Sequence, residues 1–318
     1  AKARFAVNAL AVHVTRPGAE TERRLFVKAL HAALSGNPDK NVAAFFITQV
    51  ELAGKTESIK PLAKHLADQK LACPAAAALQ TIGGPEAAKA LLKALDRAPL
   101  SARVSIVNAL GRLRSRESVR KLLALAEADD EDLRRASRSA LANIGDPAAG
   151  PALAKVRVDA SLAERAEAPR LYLLHARRLA ESGRTSAATK AARRIMDSYT
   201  RPSESALASD ALSLIVSILG VKAVPDLLDA VDSPSAAVRG AALELATGLG
   251  LEDVTARWTR TAAASGPEVR AAIVEMLGRR GDSSALAYVR ECLHDGDRIV
   301  RLAAIPASAK LGGETVLT

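Results

Sequence analysis

Between Asp132 and Val156, in the segment DLRRASRSALANIGDPAAGPALAKV, apolar and polar positions alternate with a helical rhythm. Ala136, Ala140, Leu141 and Ile144 fall at helical spacing, with Ser137, Arg138, Ser139 and Asn143 between them, the pattern of a helix with one buried face. Gly145-Asp146-Pro147 then interrupts the rhythm, and Ala149, Ala152 and Leu153 start a second apolar face. Glycine suits the left-handed residue that ends a helix, and proline suits the first turn of the next, where its missing N–H costs nothing. The pattern predicts two antiparallel helices, here called A and B, whose small Ala side chains allow close approach.

This unit recurs. The place of Gly145 is taken by Gly83, Gly250, Gly281 and Gly312. The differences 281−250 = 31 and 312−281 = 31 define a period, and 145−83 = 62 is twice that. The doubled interval hides one copy, SARVSIVNALGRLRSRESVRKLL, in which Arg114 stands in the Gly place. A second column keeps step: Arg103, Arg134, Arg239, Arg270 and Arg301 each precede their marker by eleven positions. A fixed period in this range signals stacked repeats, because one helix pair cannot bury its apolar face alone.

Read in order, the chain predicts helices over Ala3–Val14 and Glu20–Leu34, Val42–Ala53 and Ser58–Leu66, and Pro74–Ile82 and Pro85–Leu95. Two regular pairs follow from Leu100 to Lys155. The interval from Gly145 to Gly220, 220−145 = 75, exceeds two periods by 13, so residues 157–202 are expected to hold an irregular pair. Its predicted helices are Leu162–Glu181 and Ser186–Met196, with SYTRPSES as a loop after them. At the other end a helix A is expected over Arg298–Lys310, and the chain stops at Thr318 where helix B should begin. Since a solenoid end normally carries a complete capping repeat, the natural chain is expected to continue past 318.

The segments DLRRASRSALANIGDPAAGPAL, AAVRGAALELATGLG, PEVRAAIVEMLGRRGDSSAL and DRIVRLAAIPASAKLGG resemble the HEAT-repeat family, in the form of short bacterial HEAT-like repeats with a period of about 31. Weaker copies extend the likeness over most of the chain. The run AAFFITQVELAGKTESIKPLAKHLADQ is also similar to HEAT segments of large exported bacterial proteins with a separate sugar-active domain, and LLHARRLAESGRTSAATKAARRIM looks like one tetratricopeptide pair. The resemblance implies an all-α fold, a right-handed α-solenoid of nine or ten helix pairs over residues 1–318. Its family includes scaffolds and adaptors, bilin lyase subunits and DNA glycosylases, so it specifies fold and leaves activity open.

Charge adds a direction. Of the net charge of +10, residues 101–200 supply +7, from 19 basic and 12 acidic side chains. Family geometry places the B helices on the concave face. Their most exposed column is then Lys89, Arg120, Pro151, Asp226, Ala256 and Ala287, and the next is Lys93, Ala124, Lys155, Ala230, Arg260 and Glu291. The stripe is basic early and mixed later, which argues against a continuous nucleic-acid groove, and stacking aromatics are scarce at 3% of residues. The expected role is a non-catalytic platform for a partner protein or an attached domain, with Lys89, Lys93, Arg120, Lys155, Arg193 and Arg194 as partner-binding residues. The alternatives are a bilin lyase-like or glycosylase-like enzyme subunit, or a basic nucleic-acid-binding module.

Catalytic and metal-binding patterns are missing from the sequence. His13, His31, His65, His175 and His294 have no HxxxH or HExxH spacing, and no GxSxG, GxxxxGK[ST] or GxGxxG occurs. No cofactor or metal is expected. Cys73 and Cys292 are expected to be separate buried thiols, and they leave the compartment undetermined. Trp258 falls on a core position. The Arg column is expected to be a structural ladder, each guanidinium bonding carbonyls or acids of the adjacent repeat. No stretch is expected to reach the roughly 18 to 20 apolar residues of a membrane span.

Overall fold

The computed structural model describes residues 2–156, 158–198, 204–249 and 252–312. It is all-α, and no strand occurs among the described residues. The chain divides into two compact units, Ala1–Arg178 and Leu179–Thr318.

The first unit begins with α1 (Lys2–Val14), α2 (Glu20–Ser35), α3 (Lys40–Ala53) and α4 (Ile59–Ala63). It continues through α5 (Ala72–Ile82), α6 (Gly84–Ala94), α7 (Leu100–Arg112), α8 (Val119–Leu125), α9 (Glu131–Ile144) and α10 (Gly150–Leu153), and takes in the start of α11 (Leu162–Glu181). The A helices α1, α3, α5, α7 and α9 stack in sequence, each against the next. Their small residues make this possible. At the α7–α9 crossing a Cβ on Gly111 would lie 2.6 Å from the Ala140 Cα. One continuous core runs from Leu30 and Ile47 through Leu79, Leu91, Ile106 and Leu122 to Leu141 and Leu171.

The second unit holds α12 (Thr185–Ser198), α13 (Ser205–Leu219), α14 (Val224–Ala230), α15 (Ala236–Thr247), α16 (Glu252–Ala264), α17 (Pro267–Arg280), α18 (Leu286–Glu291) and α19 (Arg298–Gly312). Its core joins Leu212, Leu227, Val274, Met276, Leu277 and Val300 around Trp258, which is fully buried as its core position predicts. The α17–α19 crossing repeats the earlier device, with a Cβ on Gly278 only 2.7 Å from the Ala307 Cα.

The Arg column is a ladder, and its partners are mainly backbone. Arg103 donates to the carbonyls of Asp96 and Ala98, Arg239 to those of Ser233 and Pro234, and Arg301 to those of Asp295 and Gly296. Arg270 reaches the carbonyls of Ala262, Ala263 and Ser265 and pairs with Asp295 at 2.7 Å. Arg134 bonds the carbonyls of Ala128 and Asp129 while forking onto Glu164 at 2.7 and 3.0 Å. Each guanidinium thus bonds carbonyls where the preceding helix pair ends, the place where helical carbonyls run out of intrahelical partners.

The structure also explains where the period fails. Arg165, one period after Arg134, keeps the ladder geometry, donating to the carbonyls of Ala160 and Val158. The extra length follows it. The period would close the helix at Ala176, but α11 runs on to a left-handed Gly183, seven positions late. The next left-handed marker, Gly220, is late by a further six. The predicted SYTRPSES loop lies, for residues 199–203, outside the described residues, as does the expected break after Gly312.

Arg114 adopts φ 50°, so it takes the left-handed conformation of the glycine it replaces. One B helix is shorter than the sequence pattern predicts, α4 covering only Ile59–Ala63 of Ser58–Leu66, whereas α2, α6 and α12 match or exceed their predicted lengths. Several B helices open with a 3-10 turn, such as Pro147–Ala149 and Ser283–Ala285. The cause is local: Asp146 and Asp282 each accept a hydrogen bond at 3.0 Å from the backbone N–H two residues on, which tightens the first turn.

Two expectations need correction. Cys73 is exposed rather than buried, its Sγ 3.5 Å from the Ser105 hydroxyl, whereas Cys292 is buried; both thiols are free. And one stretch, Ser205–Ala230, does reach the length and apolarity of a membrane span, with a mean hydropathy of 1.8. Gly220 at φ 55° divides it into α13 and α14. Ala208, Leu212, Val224 and Leu227 from both halves enter the unit's core, and 33% of the most apolar window is buried.

His175, on α11, is 1% exposed and stacks on Tyr172 with ring centroids 6.3 Å apart. Burial pushes its pKa down to about 4, against a smaller opposing pull from Asp146. The unfolded chain, with an ordinary imidazole, therefore binds more protons between pH 6.5 and about 4, and stability falls as pH drops through that window. The drop attributable to His175 is about 3 kcal/mol at roughly 1.4 kcal/mol per pKa unit. Denaturant titrations at pH 7 and pH 4.5 should show most of this acid loss disappearing in His175→Gln. For the helix crossings, Gly111→Ala and Gly278→Ala should each cost about 1–3 kcal/mol by overpacking. Gly240→Ala, on an open helical surface with nothing within 4 Å, should instead gain about 0.5–1 kcal/mol, all readable as shifts in the thermal midpoint.

Candidate functional site

The residues predicted to contact a partner lie on B helices or just beyond them, and they fall in both units. In the first unit, Lys89 and Lys93 sit on α6, Arg120 on α8, and Lys155 two residues beyond α10; all four are exposed. Their chain positions follow from the apolar residues between them. Ala87, Ala88, Leu91 and Leu95 turn one face of α6 inward, which leaves Lys89 and Lys93 outside, one helical turn apart.

The structure adds two residues that the period conceals. The step from Gly54 to Gly83 falls two positions short of the period, and the same shortened step back from Lys89 and Lys93 leads to Lys60 and Lys64. Both are exposed, one on α4 and one directly after it. Helix α4 packs against α6. A spacing count allowing two deleted residues would have found them. Not every cation in this region is free of the fold. Lys121 on α8 pairs closely with Asp96, just past the end of α6, and ties successive B elements together.

In the second unit Arg193 and Arg194 line a cleft of about 740 Å³. Its walls are Thr185, Ser186, Thr189, Lys190 and Asp197 of α12 on one side, and Leu219 and Lys222 around the Gly220 turn on the other. The two arginines differ in kind. Arg193 forks onto Asp226 of α14, Nε to Oδ1 at 2.6 Å and Nη2 to Oδ2 at 2.9 Å. Arg193 was a predicted contact residue and Asp226 stood on the predicted exposed column, and they neutralise one another. Arg194 remains exposed beside Lys190.

The column arginines, Arg103, Arg134, Arg239, Arg270 and Arg301, stand apart from this set, since their guanidinium donors are engaged by the fold. Arg138 makes the same point: it is 8% exposed and donates to the carbonyls of Ala152, Leu153 and Lys155, closing the end of α10. No group of three or more His, Cys, Asp or Glu side chains able to hold a metal occurs among the described residues.

The arrangement is that of an all-α helical-repeat solenoid. Residues 91–171 and 258–318 match the sequence family of HEAT repeats, so these segments are HEAT repeats. No curated protein sequence matches the chain. Among solved structures it is similar to human deoxyhypusine hydroxylase in complex with glycerol, at 19% identity over 81% of this chain and 97% of that one, with a TM-score of 0.35. An engineered protein matches at 18% identity over 98% of this chain and 95% of its own, with a TM-score of 0.42. The complex of CpcE and CpcF of phycocyanin lyase from Nostoc sp. PCC7120 matches at 18% identity, covering 79% and 94%, with a TM-score of 0.29.

The fork between Arg134 and Glu164 tests the ladder directly. Glu164 is 6% exposed, and Arg134 holds its carboxyl below the usual range, so the pair's contribution is present near neutral pH and fades in acid as Glu164 protonates. Arg134→Met should cost about 3–5 kcal/mol at pH 7, because it leaves a buried carboxylate without its partner. Arg134→Met combined with Glu164→Leu should recover part of that loss in the same denaturant titration.

Proposed function

We propose that the protein is a non-catalytic scaffold whose B-helix surface binds a partner protein or an attached domain. One contrast carries the reading. Among the described residues the arginines of the repeating column, Arg103, Arg134, Arg239, Arg270 and Arg301, are consumed by the fold, whereas the side chains of Lys89, Lys93, Arg120 and Lys155 are exposed and have neither a hydrogen bond nor an ion pair. Exposed cations on successive repeats raise the local positive potential and steer acidic partners. A repeat scaffold can vary such residues without touching its core, because each repeat depends only on its neighbours.

The test is a reversal of charge on the first unit. In Lys89→Glu/Lys93→Glu/Arg120→Glu, capture of the partner that co-purifies with the unaltered chain should fall by about tenfold or more, an effect of about 1.4 kcal/mol, while the helical circular dichroism stays unchanged. Unaltered capture would remove these residues from the interface. A nucleic-acid module predicts instead a linear fall of log affinity with log salt for duplex DNA; a flat response excludes that alternative.

A further inference from the structure

The cleft between α12 and the Gly220 turn has properties that the general scaffold reading does not require. Lys190, Arg193 and Arg194 stand on one wall and Lys222 on the other. Arg193 is held by both oxygens of Asp226, which fixes its guanidinium and leaves Nη1 outside that fork. With Arg193 balanced by Asp226, the remaining Lys190, Arg194 and Lys222 face only Asp197, an excess of two positive charges. The Thr189 side chain also lines the cleft. It is 6% exposed, and its hydroxyl has no hydrogen-bond partner, an unusual state for a buried polar group.

We propose that this cleft binds an acidic peptide segment of a partner, with its carboxylates on Lys190, Arg194, Lys222 and the free edge of Arg193. The inference rests on the scaffold reading and specifies the partner's chemistry. Three features favour a peptide. The cations lie on two walls of a space of about 740 Å³, which suits a row of carboxylates better than one small anion. Leu219 offers an apolar contact beside the charges, as a side chain between acidic residues would need. No aromatic residue lines the cleft for the base stacking that a single-stranded nucleic acid would use. The anchored Arg193 loses little side-chain freedom on binding, so its remaining donors are presented in advance.

The experiment uses the full chain and a fluorescein-labelled hexaglutamate peptide, followed by fluorescence anisotropy at low and physiological salt. Binding should weaken at least tenfold in Lys190→Glu/Arg194→Glu/Lys222→Glu, and severalfold in the milder Lys190→Gln/Arg194→Gln/Lys222→Gln, with unchanged helical circular dichroism. It should change less than twofold in the first-unit variant Lys89→Glu/Lys93→Glu/Arg120→Glu. Absence of hexaglutamate binding, or equal loss in both sets of variants, overturns the proposal. So does displacement of the peptide by inorganic phosphate at the same concentration, which would make the cleft a simple anion site, or tighter binding of duplex DNA through the same residues. The two readings fail separately. If the first-unit variant keeps its partner while the cleft variant loses hexaglutamate, the general interface is misplaced and the cleft assignment stands.

Discussion

The chain depends on how one helix pair is fastened to the next. Hydrophobic burial between A helices favours stacking but is nearly indifferent to a small slide along the surface, particularly when so many of the contacting residues are Ala. The arginine ladder removes that freedom. A guanidinium has a rigid, planar set of donors, and in Arg103, Arg134, Arg239, Arg270 and Arg301 those donors meet carbonyls lying five to eight residues back, where the previous pair ends. The same bonds fall where helical carbonyls run out of intrahelical partners. Register and end-capping are therefore set by one interaction, and the close Gly111–Ala140 and Gly278–Ala307 crossings can follow because the helices always meet at the same height.

Much of this was legible in the sequence because it is local or periodic. Helix α11 could be read to its observed ends, and Arg114 could be placed as a glycine substitute before its φ of 50° was known. The Arg column could be read as structural because its period matched that of the core. What escaped depended on contacts that periodicity does not encode. Arg165 continues the ladder, but the glycine that usually follows is displaced to Gly183, so the two-column test passed over it. Cys73 looked like a small core residue by type, yet its neighbours Ala72, Ala75 and Ala76 occupy the inward positions and leave it outside. The Asx turns that convert the start of a B helix to 3-10 geometry were visible as Asp146 and Asp282, but the 3-10 turn that follows each was not.

The candidate site shows the same division more sharply. Exposure on a B helix could be inferred from the apolar pattern, and all six predicted cations are on the surface. Exposure alone does not say which are available. Arg193 and Asp226 stand close to one period apart, so they are neighbours on adjacent B elements and pair with each other. Lys121 and Asp96 do so across a somewhat shorter interval. A sequence scan that treats every exposed cation as a ligand site overcounts for this reason, whereas one that asks what sits about a period away would have flagged the Arg193–Asp226 pair.

Arginine consequently has two roles in this molecule. In the repeating column, as in Arg23 of α2, it caps backbone carbonyls, and its removal should be felt as lost stability. At the candidate site the same side chain either has no bonded partner, as in Arg120, or is restrained at its edge by a carboxylate, as in Arg193. Restraint of that kind does not remove Arg193 from recognition. A guanidinium offers donors on more than one edge, and Asp226 occupies one of them while suppressing the rotamer entropy that binding would otherwise have to overcome. The neutralised arginine then contributes little to long-range attraction but much to geometry, and the attraction falls to Lys190, Arg194 and Lys222. A partner recognised in this way would be selected by the spacing of its negative charges, and net charge alone would be a poor guide to its affinity.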